Sequence, residues 1–155
     1  MAGLTDRVRT LRPDQPILMT LTLGKGYTAN DIQGYLQTLS SFPRFRLVVL
    51  LDGSGEFVGC MSPVELGGLM RSEKLSARFL QAAEHGDKKE VLKSPATFEH
   101  NVPKSATNAD ALSAMTAHNL GAIAVLDEGH RLRGVVEREQ LVSKLVLSLA
   151  DATQP

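Results

Sequence analysis

The chain is 155 residues long, with 17 Lys and Arg against 17 Asp and Glu, 43% hydrophobic residues and 22% charged ones. That length suits one domain with a shared core, burying on the order of 70% of the unfolded surface, and the zero formal charge excludes nucleic-acid or membrane binding driven by bulk charge. Cys60 is the only cysteine, which excludes an internal disulfide or a cysteine metal cluster and fits a reducing, cytoplasmic compartment. The opening stretch MAGLTDRVRTLRPDQ has no apolar core, and no apolar run approaches about 18 residues, so neither a secretory leader nor a membrane span is expected.

In chain order, residues 1–15 read as an arm packed beside the second half of the chain. Residues 16–23, PILMTLTL, suit a short strand, broken by Gly24, Lys25 and Gly26. A helix is predicted from near Asn30, with Ile32, Tyr35, Leu36 and Leu39 on one face, ended by Pro43. The apolar run 45–51 predicts a strand buried on both faces. Asp52-Gly53-Ser54-Gly55 supplies turn chemistry, and 56–61 forms the return strand of a hairpin. Ser62, Pro63 and Glu65 then predict an N-cap serine, a proline at the first helical position and a capping box. Gly67 and Gly68 point to a short helix or a close contact. Residues 75–85 predict a further helix with Gly86 as its stop, followed by a polar stretch at 87–90 and a short strand near 97–102. From Thr107 the order repeats as a helix, a buried strand at 121–126, a turn at 127–130, a strand at 131–136 and a helix from Glu137 to about residue 150. Leu141, Val142, Leu145 and Leu149 give that last helix an apolar face fit for a partner, and 151–155 form a tail.

The repetition is specific. Shifting residues 47–66 by 75 positions places Val48 on Ile123, Leu50 on Val125, Leu51 on Leu126, Asp52 on Asp127, Phe57 on Leu132, Gly59 on Gly134 and Leu66 on Leu141. The helical segments 28–39 and 107–118 align at a shift of 79, Asp31 on Asp110 and Leu36 on Met115. The four extra residues fall in the loop SSFPRFR, where length changes are cheap. One unit is therefore written twice. Each copy would be marginal alone, so the two are expected to share a core.

The two copies, with GCMSPVEL and GVVEREQL each following an apolar strand that ends in aspartate and a turn, resemble a tandem pair of CBS domains, the Bateman module. The resemblance covers nearly all of the chain after the arm, with residues 16–90 as the first repeat and its connecting helix and 91–150 as the second. It implies an α/β (α+β) fold of two β-α-β-β-α repeats about a pseudo-twofold axis, with two clefts. It further implies a regulatory, non-enzymatic role, a homodimer, and an adenosine-type ligand such as AMP, ADP, ATP or S-adenosylmethionine, with no cofactor required. A separate regulated protein is a possible partner. The alternative is a degenerate pair that serves only for dimerisation or protein docking and binds no nucleotide.

The family's ligand pattern is glycine, two apolar residues, serine or threonine, two variable residues, then aspartate. The first copy gives Gly59, Cys60, Met61, Ser62, Pro63, Val64 and Glu65, keeping the hydroxyl and a carboxylate one methylene longer. The second gives Gly134, Val135, Val136, Glu137, Arg138, Glu139 and Gln140, and both polar positions differ. The residues point to the same place without the family, because a strand-to-helix junction exposes free N–H groups and the positive end of a helix dipole. Ser62 would meet a phosphate and Glu65 the hydroxyls of a ribose; equally, both would only cap the helix, worth about 1 kcal/mol. Arg44 and Arg46 flank the entry to the first buried strand and would pair with a phosphate or stay as solvated edge charges. Leu47 and Ile123 would cover an adenine face or belong to the core. Gln140 would bond a ribose or face solvent.

Glu137 would itself fill the second anion seat, since a carboxylate about 4 Å from a phosphate costs on the order of 4 kcal/mol at an effective dielectric of 20. The second cleft is therefore expected to exclude phosphate unless Arg133 or Arg138 compensates the charge.

Other motifs carry less. Gly24-Lys25-Gly26 with Thr28 lacks the G-x-x-x-x-G-K-[ST] spacing of a phosphate loop. The DGSGE turn lacks the loop that closes a calcium site. His85, His100, His118 and His130 show no i, i+4 spacing and read as surface residues. Cys60 reads as a small buried apolar residue.

Overall fold

The structure, a computed structural model, describes residues 3–7, 18–42 and 44–153, the side chains of 148–153 excepted. Its elements in order are β1 (Leu18–Thr22), α1 (Ala29–Leu39), β2 (Leu47–Leu51), β3 (Phe57–Met61), α2 (Pro63–Arg71), α3 (Glu73–His85) and α4 (Lys88–Leu92). They continue with β4 (Asn101–Pro103), α5 (Asn108–Ala117), β5 (Ala122–Leu126), β6 (Leu132–Glu137) and α6 (Arg138–Thr153). Two three-stranded sheets result, ordered β1-β2-β3 and β4-β5-β6. In each, the first pairing is parallel and the second antiparallel.

The period-2 geometry of a strand sends alternate residues to opposite faces, and both central strands use both faces. Val48 and Leu50 point into a cluster with Ile32, Leu36, Phe79 and other helix residues of the first repeat. Ile123 and Val125 do the same toward α5 and α6, beside Met115 and Leu141. The other parity builds a seam between the sheets, with Leu18, Leu47, Val49, Phe57 and Cys60 from one and Ala122, Ala124, Leu126 and Val135 from the other. Leu47 and Val49 align with Ala122 and Ala124 at the shift of 75, so at these equivalent positions one repeat brings large residues to the seam and the other small ones. This is how the two units share a core, and burial of each such leucine or valine contributes about 1.5–3 kcal/mol.

The duplication extends to detail. Both hairpins carry a register irregularity at the same place, between Leu50 and Leu51 and between Val125 and Leu126. Asp52 Oδ1 accepts from the hydroxyl and N–H of Ser54 (2.6 and 2.9 Å) and the N–H of Glu56 (3.0 Å). Asp127 Oδ1 accepts from the N–H groups of Gly129 (2.9 Å) and Arg131 (3.1 Å). These donors, the Ser54 hydroxyl first, hold the Asp52 carboxyl well below the usual carboxylate range, and Lys88 Nζ adds an ion pair at 3.3 Å. Thr28 with Asp31 and Thr107 with Asp110 form reciprocal capping boxes at the starts of α1 and α5, the same residues that align at the shift of 79. The turns meet at the axis: Glu56 and Arg131, equivalent positions, bridge one another, and the Phe57 N–H donates to the His130 carbonyl at 2.9 Å.

Several expectations are corrected. The polar stretch 87–90 belongs to α4, capped by Asp87, whose side chain accepts from the Glu90 N–H; five residues are too few for a readable period. The strand expected near 97–102 divides. Phe98 bonds both ways to Cys60 of β3 (2.7 and 2.9 Å), while β4 begins only at Asn101. Gly59 permits this, since a Cβ there would lie 3.0 Å from the Phe98 carbonyl oxygen. Gly24 and Gly86, both at positive φ, face each other so closely that a Cβ on Gly24 would lie 3.0 Å from the Gly86 Cα, which gives the Gly24-Lys25-Gly26 stretch a packing role. Glu137 ends β6 instead of starting α6, and α6 runs on to Thr153 into the expected tail. Residues 3–7 lie against the second repeat: the N–H groups of Asn108 and Ala109 donate to the carbonyls of Asp6 (2.8 Å) and Leu4 (2.9 Å). Residues 8–17 and Pro43 lie outside the described residues, and α1 ends at Leu39 with Ser40 as its cap.

Leu47→Ala is expected to lower stability by about 2–5 kcal/mol in urea denaturation while leaving a single transition. Two separate transitions would show that the repeats fold independently of the seam.

Candidate functional site

Antiparallel pairing fixes where the predicted residues meet. Val48 pairs with Met61 and Ala122 with Glu137, so the start of β2 adjoins Ser62 and the start of β5 adjoins Glu137. The Cδ of Arg46 lies 4.0 Å from the position a Cβ would take on Gly121, which brings the two strand starts together. The N-termini of α2 and α6 therefore flank one end of the molecule, opposite the hairpin turns.

Ser62 is half-buried at the N-cap of α2, extended at φ −92 and ψ 166, with Pro63 following. Its hydroxyl makes no cap hydrogen bond. The expected capping box with Glu65 is thus absent, although the backbone has ordinary N-cap dihedrals. Glu65 is exposed in the first turn of α2, next to Val64, which is 78% exposed. Arg44 is exposed. Leu47 is 1% exposed and belongs to the seam, and Ile123 is packed under α5 and α6; both match the core alternative for them. Gln140 is exposed near the start of α6.

Arg46 departs most from expectation. Its Nη1 donates to the Phe45 carbonyl at 3.1 Å, and its Nε lies 3.7 Å from Glu137 Oε2. Glu137 is 9% exposed, a burial that a carboxylate tolerates only with a partner. The charge on Glu137 is thus met by an arginine of the other repeat. Linear spacing held no signal for this, because the pair exists only once the strand starts are juxtaposed.

The histidines are less scattered than their spacing implied. His100 and His118 stack with ring centroids 3.6 Å apart at 14°, and the Phe98 ring centroid lies 5.8 Å from that of His100. Partial burial and the neighbouring His118 push the His100 imidazole below its ordinary value, against the opposing pull of Glu99. Burial pushes the Cys60 thiol up, consistent with an inert core residue. Among the described residues no group of three or more His, Cys, Asp and Glu stands ready to hold a metal ion. A depression of about 220 Å³ on α3 and α4, lined by Arg78, Gln81, Ala82, His85, Asp87 and Glu90, contains none of the predicted site residues. No helix among the described residues is long and apolar enough to cross a membrane.

A sequence model of the CBS domain matches residues 95–147, the second repeat. Among solved structures, CBSX2 in complex with AMP is similar over 97% of this chain and 99% of its own, with a TM-score of 0.60 and 16% identity. The chain folds as a tandem CBS pair. The CBS domain pair of protein MJ0100, in complex with 5'-methylthioadenosine and S-adenosyl-L-methionine, is similar over 90% of this chain and 92% of its own (TM-score 0.56, 13% identity). The cytosolic domain of the Mg2+ channel MgtE, in complex with ATP, is similar over 84% of this chain (TM-score 0.56, 14% identity), and this CBS pair spans only 46% of that domain. No curated protein matches the chain in sequence.

The histidine stack yields a signed pH dependence. With the folded value of His100 depressed, the unfolded chain holds more protons, so the contribution is present above about pH 6.5 and is lost as the pH falls through the folded value. His118→Asn is expected to raise the His100 midpoint in an NMR titration and to reduce the fall in melting temperature between neutral and mildly acid solution. An unmoved midpoint would show that the stack does not govern it.

Proposed function

We propose that this CBS pair is a non-enzymatic regulatory module that binds an adenosine-type nucleotide, AMP, ADP or ATP, in the cleft of the first repeat. Binding changes its conformation or stability and so informs a partner. The observation that carries this reading is Ser62: a half-buried serine at the start of α2 whose hydroxyl is not spent on the helix cap. The helix start offers N–H donors and a positive dipole end to a phosphate. Glu65 stands in the same turn, where it would take the ribose hydroxyls, and Arg44 adds positive charge at the entry to β2. The nucleotide complexes of the similar CBS pairs support the class of ligand, and S-adenosylmethionine remains within it. Localisation in the cytoplasm belongs to the same reading.

One observation favours a second reading, that of a dimerisation or docking module with empty clefts. On α6, Val142, Val146 and Leu147 are 39%, 58% and 65% exposed, an apolar surface that a homodimer partner would cover.

A thermal-shift panel of AMP, ADP, ATP, S-adenosylmethionine and NADH separates the two. A ligand at 100 times its dissociation constant is expected to stabilise the fold by about 2.7 kcal/mol, and Ser62→Ala is expected to weaken that response. No shift with any member of the panel would favour the docking module, and a shift unchanged by Ser62→Ala would move the site elsewhere.

A further inference from the structure

The Arg46 to Glu137 contact ties residues that the internal symmetry assigns to different clefts. Arg46 leads into β2, and continuing the register of Val48 with Met61 by one residue puts Leu47 beside Ser62, with Arg46 next to it in the chain. Neighbouring strands lie about 4.8 Å apart, well within the reach of an arginine side chain. Glu137, by contrast, is the equivalent of Ser62 at the shift of 75 and stands at the start of α6. The contact through Nε at 3.7 Å is longer than the about 2.7–2.9 Å of a charge-assisted hydrogen bond, and the Arg46 side chain is 38% exposed. A phosphate offers this guanidinium a stronger, bidentate partner.

We propose that Arg46 is shared between the clefts: a phosphate bound at Ser62 competes with Glu137 for the guanidinium, so that filling the first cleft frees a carboxylate in the second. This rests on the nucleotide reading above and gives it a route of transmission. Glu137 is too buried to lose its counter-ion without rearrangement, so the second repeat must shift or admit solvent. The free energy that couples the repeats is the difference in what Arg46 gains from each anion.

The test is calorimetric titration of the wild type, Glu137→Gln, Arg46→Ala and the double variant with AMP and with adenosine, which differ by the phosphate. Glu137→Gln removes the competitor and is expected to tighten AMP relative to adenosine by about two- to fivefold, the span of a part-exposed ion pair. In the Arg46→Ala background the same change is expected to have no effect on that ratio. A ratio unmoved by Glu137→Gln, or moved equally without Arg46, overturns the sharing while leaving the nucleotide reading intact. If neither the wild type nor Glu137→Gln binds either compound, both fall; binding by Glu137→Gln alone supports the competition. Should Arg46→Ala fail to fold, Arg46→Met keeps the stem that packs over Gly121 and serves in its place.

Discussion

The seam between the two sheets is the constraint from which the rest of the molecule follows. A central strand buried on both faces must satisfy two neighbours at once, and here one parity serves the helices of its own repeat while the other serves the opposite repeat. Leu47 and Val49 share one buried cluster with Ala122 and Ala124, and this seam joins the two sheets. Their strand starts come together at one end and their turns at the other. The positions of the N-termini of α2 and α6 are consequences of that packing.

Symmetry of the backbone does not extend to the chemistry of the two strand-to-helix junctions. At equivalent positions one repeat presents an uncapped hydroxyl and the other a buried carboxylate already paired across the axis. An anion approaching Ser62 meets donors and the positive end of α2, whereas one approaching Glu137 meets a like charge. A duplicated unit can thus keep a common scaffold while its two junctions differ in charge, since the scaffold depends on alternating apolar residues and each junction on a few polar ones.

Much of the scaffold was legible because its signals are local or periodic. The runs 45–51 and 121–126, the aspartates that close each hairpin, and Gly86 at the end of α3 each state their role within a few residues. The aligned aspartates Asp31 and Asp110 prove to be the capping carboxylates of α1 and α5. What escaped the sequence lies at longer range or in a single contact. The Ser62 and Glu65 pair has the spacing of a capping box, yet the hydroxyl makes no cap hydrogen bond. The pairing of Arg46 with Glu137 and the stack of His100 on His118 join residues 91 and 18 positions apart, and nothing in their spacing announces it. The short α4 gave no period to detect, and Phe98 seemed part of one strand because linear order cannot show a segment that touches one sheet before entering the next.

The clasp of residues 3–7 on α5 has a consequence for how the molecule comes apart. The carbonyls of Leu4 and Asp6 receive the first-turn amides of α5, and the Asn108 side chain donates to the Gly3 carbonyl at 2.7 Å. The beginning of the chain is therefore fastened to its later half, and the polypeptide is closed into a ring by hydrogen bonds as well as by the seam. Loss of residues 3–7 would leave the first-turn amides of α5 and the Asn108 side chain without these acceptors, so its effect would fall on the second repeat.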